Sequence, residues 1–593
     1  MVTKQIQASV AMLRVLEAWH VKNVYGYPAG SVNSIMNALD HERHRIRLIQ
    51  VRHEQVGALA ASAHAKLTRS IGIAFGSAGP GAINMLDGLY DAREDHAPVL
   101  AIVGQSASDN LNRDSFQELS EQPIFSDVAC YDRVVMTPAS LPHVTNQAIK
   151  TAYAHRGVAI IILPNDFGFA KIPYSRVDPP IVQPVRCQPE INVTQVERVL
   201  RLIHSAKRPI FHVGWGIHDN EHGLMKLAKR LKVPVVIDAS AKGLFSGDAV
   251  ADLGTGNRLV SKPADELLSV TDLVVAIGED FALPNAFNRH HHFKFIQIDN
   301  RLDHLGRHHR LTLGIQSTAK AFIKSALRIA RPVKISPFYR AAIADVLNWQ
   351  EFLRHLTLIN SNPILPAQVY HQINRIAARD AIFSVDIGDN TINSYRYLSL
   401  RPPKRWVSSG HFATMGISLP GAIAAQLDYP DRQVFSIAGD GAFSMVMQDL
   451  ITERKYRLPI INIITVNETT NFIKGSQAES KMKYFGIDLA KQNFAMIAKG
   501  MGVAARNVTR AADLPKAFDW VKRVTAAGQP GLLSVRVTAA RGLPVDQLRT
   551  KIESGHLLEK AINFKNLREF FDTNHGRQLR SLAFWFRRFN VKI

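Results

Sequence analysis

Gly439-Asp440-Gly441 closes one apolar run and Asn467 closes the next, with a helix-period segment between them. The stretch "AGDGAFSMVMQDLITERKYRLPIINIITVNETTNFIKGSQ" reads as a strand over Val434 to Ile437, a helix over Ser444 to Tyr456 and a strand over Leu458 to Val466. A right-handed strand-helix-strand crossover makes the two strands parallel, so Asp440 and Asn467 leave the sheet at the same edge. Open parallel sheets bind their ligands there. A carboxylate plus an amide carbonyl suits Mg2+, which takes few protein ligands and keeps places for phosphate oxygens and water. Gly439 and Gly441 let the backbone approach a diphosphate, and the following helix offers its N-terminus. A lone Gly-Asp-Gly is an ordinary tight turn; its spacing to Asn467 makes it a candidate metal-diphosphate site.

The elements that must position these residues alternate along the whole chain. Strand-like runs over Ile46 to Val51, Ile71 to Phe75, Pro98 to Val103, Gly157 to Leu163, Pro209 to Val213, Val233 to Ile237, Leu273 to Ile277 and Phe293 to Ile298 mostly have helix-period segments between them. That alternation, without repeats or low-complexity tracts, predicts an α/β protein of buried parallel strands. Two proline-bearing passages, "SRVDPPIVQPVRCQPEINVT" and "RPVKISPFYRAA", read as linkers. They divide the 593 residues into blocks 1–185, 186–335 and 336–548, followed by a basic tail, 549–593.

Composition narrows the partners. Two cysteines, Cys130 and Cys187, cannot build a disulfide framework and show no metal-ligand spacing, which predicts inert thiols in a reducing, cytoplasmic compartment. The N-terminus is interrupted by Arg14 and Glu17 before a signal-peptide core could form, and no uncharged stretch is long enough to span a bilayer. A formal charge of +22 attracts anions of any kind. Without a zinc-finger spacing, an RNA-binding aromatic signature or a basic heptad run, it predicts no specific nucleic-acid binding. The consecutive His290, His291 and His292 would point in different directions, so they read as solvated surface rather than a metal site.

The Gly-Asp-Gly and its distant Asn resemble the thiamine diphosphate motif. "YGYPAGSVNSIMNAL", "VRHEQVGALAA", "FGSAGPGAINMLDGLYDAREDHAPVLAIVGQ", "SFQELSEQPIF" and "FATMGISLPGAIAA" follow in the order expected for the decarboxylase, carboligase and oxidase branch of that family. Within the branch the chain is most similar to the bacterial pyruvate oxidases, from Gln5 to about Leu548. The resemblance implies three doubly wound parallel-sheet domains, binding in turn the pyrimidine, FAD and the diphosphate, plus a C-terminal helical tail. It implies Mg2+ held by Asp440, Asn467 and the main-chain carbonyl of Thr469. Glu54, alone a charge that a helix N-terminus favours, becomes the acid that hydrogen-bonds the aminopyrimidine and relays its proton. Met415 becomes the apolar prop of the cofactor, and Phe116 and Gln117 line the substrate and phosphate site.

FAD rests on the central block. Gly214 and Gly216 follow a strand in "RPIFHVGWGIHDN", Arg258 lies in "LGTGNRLVSKPADE", and "FIQIDN" ends a strand at Asp299. Paired glycines after a strand are weak by themselves; by resemblance, Arg258 pairs with the flavin diphosphate and Asp299 faces its adenosine end. The implied reaction converts pyruvate, phosphate and O2 to acetyl phosphate, CO2 and H2O2 by way of hydroxyethyl-thiamine diphosphate and FAD. It is carried out by a homotetramer with active sites at dimer interfaces. The alternatives are an acetolactate synthase-type carboligase, or a divergent paralogue with altered or weak activity. The latter is motivated by three departures from the pattern: Ala29 in place of a glycine, Asn471 in place of a small residue, and Ser476 in place of a glutamate.

In the tail, Leu579, Leu582, Phe586 and Phe589 recur at helical spacing among Arg577, Arg580, Arg587, Arg588 and Lys592. The preferred reading is a helix packed on the enzyme. The other is contact with an anionic membrane surface.

Overall fold

Unbroken apolar runs become parallel strands because strands covered by helices on both faces bury every side chain. The computed structural model describes residues 4–174, 191–218, 220–245, 261–279, 293–358 and 361–539. The basic tail, Arg258 and His290 to His292 lie outside the described residues.

The chain opens with β1 (Lys4–Gln7), followed by β2 (Asn23–Gly26), β3 (Arg47–Gln50), β4 (Gly72–Gly76), β5 (Val99–Gln105), β6 (Ala129–Val134), β7 (Val158–Pro164) and β8 (Lys171–Tyr174). Strands β2 to β7 form one parallel sheet in the order β3-β2-β4-β5-β7-β6, while β1 and β8 pair antiparallel as a separate ribbon. The second sheet contains β9 (Pro209–Val213), β10 (Val235–Ile237), β11 (Leu273–Ile277), β12 (Lys294–Asp299) and β13 (Leu313–Gln316), in the order β10-β9-β11-β12-β13. The third contains β14 (Ile382–Val385), β15 (Arg405–Val407), β16 (Val434–Gly439), β17 (Ile461–Val466), β18 (Ala504–Val508) and β19 (Gly531–Arg536), in the order β15-β14-β16-β17-β19-β18. Three doubly wound parallel sheets are present, as the family resemblance implies.

The first and third sheets have one topology. In each, the chain runs from the first strand to a neighbour on one side, crosses back, and continues on the other side. This places topological switch points between β2 and β4 and between β14 and β16. The returning helices are Glu54–Thr68 and Ser418–Asp428, and they pack on each other. Both are rich in small residues: a Cβ added to Gly421 would lie 3.5 Å from the Ala63 methyl. Close helix contact of this kind lets one core run from Ile49 and Ala101 in the first sheet to Val434 and Ile464 in the third.

The helix Pro337–Leu358 begins two residues past the expected divide at 335/336 and serves two sheets. Phe338, Ala342 and Val346 pack on the second sheet, whereas Trp349, Leu353 and Leu356 pack beside Ala367 and Tyr397 near the third.

One local expectation is corrected. The segment Ser444 to Tyr456 is not a single helix: a five-residue helix, Asp440–Ser444, is followed by a 3-10 turn, Met447–Asp449, and a helix, Leu450–Tyr456. The chain leaves helical geometry at Val446, φ −133°, and Asp449, which ends the turn, is held by other contacts: its carboxylate accepts the Thr452 hydroxyl at 2.8 Å and the Arg52 N–H of the first domain at 2.9 Å.

Candidate active site

Strands β14, β16 and β17 lie side by side and parallel, with Val385 opposite Ile437 and Gly439 opposite Thr465. Their carboxyl ends therefore bring Gly388, Asp440 and Asn467 to one edge, at the switch point of the sheet. A Cβ added to Gly388 (φ +110°) would meet nothing within 4 Å, and one added to Gly439 would meet only Asn390 Nδ2 at 3.6 Å. The two glycines front an open cradle.

The Asp440 carboxylate is buried at the wall of this cradle, 7 % exposed. Its Oδ2 accepts the N–H groups of Glu468 (2.7 Å) and Asn467 (3.1 Å), and its Oδ1 that of Gly441 (3.0 Å). Burial pushes its pKa up, and these backbone donors hold it back. No basic side chain pairs with it among the described residues. A buried carboxylate with backbone donors alone is a poor resting place for charge unless a cation completes it. Asn467 Oδ1 accepts the Thr469 N–H at 3.2 Å and keeps a lone pair. The Thr469 hydroxyl donates to the Ile487 carbonyl at 3.1 Å, and its main-chain carbonyl, which accepts the Asn471 N–H at 2.8 Å, keeps a second lone pair. Between them Glu468 takes a left-handed backbone, φ +58°, braced by Arg536 at 2.9 Å. Among the described residues no group of three or more His, Cys, Asp and Glu is placed to hold a metal. One carboxylate, one amide and one carbonyl, beside the open space at Gly388 and Gly439, fit Mg2+ and a diphosphate.

Met415 reaches the same place. Its loop is fixed by Asp386, a buried acid just past β14 that accepts the Gly416 N–H (2.8 Å) and the Ser418 hydroxyl (2.7 Å). Gly416, at φ +98°, supplies the left-handed turn. Met415 Cε consequently lies 3.6 Å from the Cβ position of Gly441.

Glu54 opens its helix beside the other switch point, where burial of the apolar stretch from Val56 onward fixes the helix and leaves its first residue at the sheet edge. Glu54 Oε2 accepts the Asn84 amide at 3.1 Å, and Oε1 lies 3.0 Å from the Cβ position of Gly81. Its neighbour Gln55 donates to Asp87 at 2.8 Å, and Asp87 also accepts the hydroxyl of Thr414, next to Met415. Phe116 and Gln117 lie on a turn against Gly79, at the same switch point, with the Phe116 ring 88 % exposed. No described hydrogen bond or ion pair joins Glu54 to Asp440 or Asn467 within one chain.

The sequence matches three thiamine pyrophosphate enzyme families: the N-terminal TPP binding domain over residues 6–124, the central domain over 196–326 and the C-terminal TPP binding domain over 386–535. It is 41 % identical over 560 residues to a pyruvate oxidase of Lactiplantibacillus plantarum, covering 92 % of this chain and 91 % of that protein. The chain belongs to the thiamine diphosphate-dependent enzymes. It is also 35 % identical to a thiamine pyrophosphate-containing protein of Bacillus subtilis, covering 91 % and 92 % of the two chains. To an acetolactate synthase large subunit of Porphyra purpurea it is 28 % identical, covering 91 % and 94 %.

For a thiamine diphosphate enzyme, the central domain is less explicit than the outer two. Gly214 and Gly216 lie at the switch point between β9 and β11, but their Cβ positions fall 2.7 Å and 2.6 Å from the backbone of residues 278–279. These glycines bring two loops together. Asp299 accepts the Arg301 N–H at 2.8 Å, and its Oδ1 is 3.6 Å from His304 Nδ1. Nothing in these contacts is specific to a flavin.

The departures from the family pattern are accommodated. Ala29 is extended, φ −155°, and packs on the first core. Asn471 is buried and donates its amide to Asp389, tying the loop after β17 to the residue after Gly388. Ser476 lies part-way along the helix Asn471–Glu479.

Sequence reasoning passed over Gly388, Asn390 and Asn84. "DIGDN" carries the same strand-end Gly-Asp signal as Gly439-Asp440 and could have been found with it. Asn84 gives no such signal, because its link to Glu54 exists only once two helices have packed.

Proposed function

We propose that the chain is a pyruvate oxidase that uses thiamine diphosphate, Mg2+ and FAD to convert pyruvate, phosphate and O2 to acetyl phosphate, CO2 and H2O2. The observation that carries the cofactor half of this reading is the buried Asp440 facing the cradle between Gly388 and Gly439. The oxidase half is supported by similarity to the L. plantarum protein over nine-tenths of both chains.

When bound, thiamine diphosphate supplies the nucleophile and electron sink for decarboxylating a 2-oxo acid, and FAD the two-electron acceptor. The chain does the rest. Asp440, Asn467 and the Thr469 carbonyl hold the metal, and Met415 supports the ring system from below Gly441. Glu54 Oε1, the oxygen that Asn84 leaves open, holds and passes the proton. Phe116 and Gln117 border the substrate, and the net charge of +22 draws in pyruvate and phosphate, both anions. Gly214, Gly216, Arg258 and Asp299 remain the candidates for FAD by resemblance.

The homotetramer with sites at dimer interfaces belongs to this proposal. It rests on the family resemblance, and on the absence of any described hydrogen bond or ion pair joining Glu54 to Asp440 or Asn467 within one chain. Purified protein given pyruvate, phosphate and the three cofactors should release peroxide and acetyl phosphate. Acetolactate without peroxide would instead establish the carboligase reading, which the P. purpurea similarity supports.

A further inference from the structure

We propose that Glu121 is a positioning residue for the substrate side of the site, tying the Phe116–Gln117 turn to the short helix that holds Glu54. The role of that turn rests on the pyruvate oxidase reading; the tie itself does not.

The helix Pro80–Asn84 has five residues and touches an acid at each end. At its entrance the Gly79 N–H donates to Glu121 Oε1 at 3.3 Å. At its exit the Asn84 amide donates to Glu54 Oε2 at 3.1 Å. Gly79, at φ +63°, also carries the turn: the Gln117 carbonyl oxygen is 3.0 Å from its Cβ position, so only glycine lets the two segments lie together. The turn is a closed unit, because the Glu118 carboxylate accepts the N–H groups of Asn112, Arg113 and Ser115. Among the described hydrogen bonds, two fasten its C-terminal end to the domain. One comes from the Gln105 amide, which donates to the Leu119 carbonyl at 3.0 Å. The other is made by Glu121.

Glu121 is 2 % exposed, and among the described residues its Oε2 has no hydrogen-bond partner. The charged groups around it are unfavourable to a second negative charge. From β6 comes Asp132, another acid, while neighbouring Arg133 lies over the Tyr131 ring. Glu118 is turned toward its own amides, and Glu54 lies across the short helix. Burial pushes the Glu121 pKa up to about 8; the Gly79 N–H, the next largest influence, opposes it, and Asp132 adds a smaller increase. Ionisation strengthens the Gly79 hydrogen bond at Oε1 but puts charge on the buried Oε2 beside Asp132, which only entering water can solvate, and that water parts the packed segments. Ionisation therefore loosens the turn from the Glu54 helix, and Glu121 sets an alkaline limit to an ordered substrate site.

Hydrogen exchange of residues 105–120 in the holoenzyme, followed between pH 6 and 9.5 and corrected for intrinsic rates, tests this directly. The parent should lose protection above its Glu121 pKa. Glu121→Gln, which keeps the acceptor and cannot ionise, should retain protection across the range and should lose the alkaline fall in kcat/KM for pyruvate. Glu121→Ala should lower kcat/KM by about ten- to a hundredfold, chiefly through KM, while the Gln variant restores it. Identical pH dependence of exchange in the parent and Glu121→Gln would overturn the proposal, as would a parent whose protection does not change with pH. Because exchange requires no turnover, a protein that makes no peroxide yet shows the Glu121-dependent change would refute the oxidase reading and leave the tie intact.

Discussion

The Asn467 backbone N–H closes a 3.1 Å hydrogen bond onto Asp440 Oδ2, joining the ends of two neighbouring parallel strands through the two residues proposed to hold the metal. The carboxylate is thus oriented before any cation arrives. Replacing Asp440 by Asn puts an amide against N–H groups that need an acceptor and removes the charge. Affinity for thiamine diphosphate in Mg2+ should fall at least about ten- to a hundredfold, with circular dichroism unchanged. Titration of the apoprotein by calorimetry measures this without turnover. Affinity equal to that of the parent would remove Asp440 from the metal site.

Glu54→Gln preserves shape and removes the ionisable group. Under the proposed role, kcat should drop by about two to four orders of magnitude with little change in melting temperature. Asn84→Ala leaves the acid in place and frees Oε2, so the loss should be smaller, on the order of tenfold, with a shifted pH profile as its signature. An Asn84 variant with the parent's profile would mean that the Asn84 contact does not tune Glu54.

How much of this was legible follows from range along the chain. Asp440 and Asn467 were readable because a strand, a helix and a strand are a local code, and parallel strands put their ends on one edge. Glu54 alone looked like any acid at a helix start; only the family resemblance singled it out. The identical winding of the first and third sheets is absent from the residue pattern, since topology is set by which strands pair and not by their spacing. Asp449 shows the same limit. It meets the Arg52 N–H, almost four hundred positions away, within a stretch that periodicity alone reads as one helix.

Gly216→Ala tests what the central glycines do. A methyl there would fall 2.6 Å from the Gly278 Cα, a backbone contact that cannot swing aside. Overpacking of this sort costs about 1–3 kcal/mol. Calorimetry should therefore show a lower transition temperature in the flavin-free protein as well as in the flavin-loaded one. A variant impaired only when flavin is present would assign Gly216 to the cofactor instead.

His96 lies where three domains meet, its ring 5.8 Å from His304 of the second and 6.5 Å from His411 of the third. Burial, then the charges of His411, Arg301, His304 and Arg156, push its pKa down to about 4. An unfolded histidine titrates near 6.5, so acidification below that value protonates the unfolded chain while the folded one stays neutral. Stability is therefore full above pH 6.5 and declines as the pH falls toward 4. At pH 5 the deficit from this one group is about 2 kcal/mol, the separation of the unfolded pKa from that pH at 1.36 kcal/mol per unit. His96→Asn removes the titration and tolerates the left-handed backbone at this position, φ +53°. Denaturant unfolding at pH 7.5 and pH 5 should show the parent losing more stability than the variant by about that amount. Parallel losses would mean that His96 takes up its proton in the folded protein as readily as in the unfolded one.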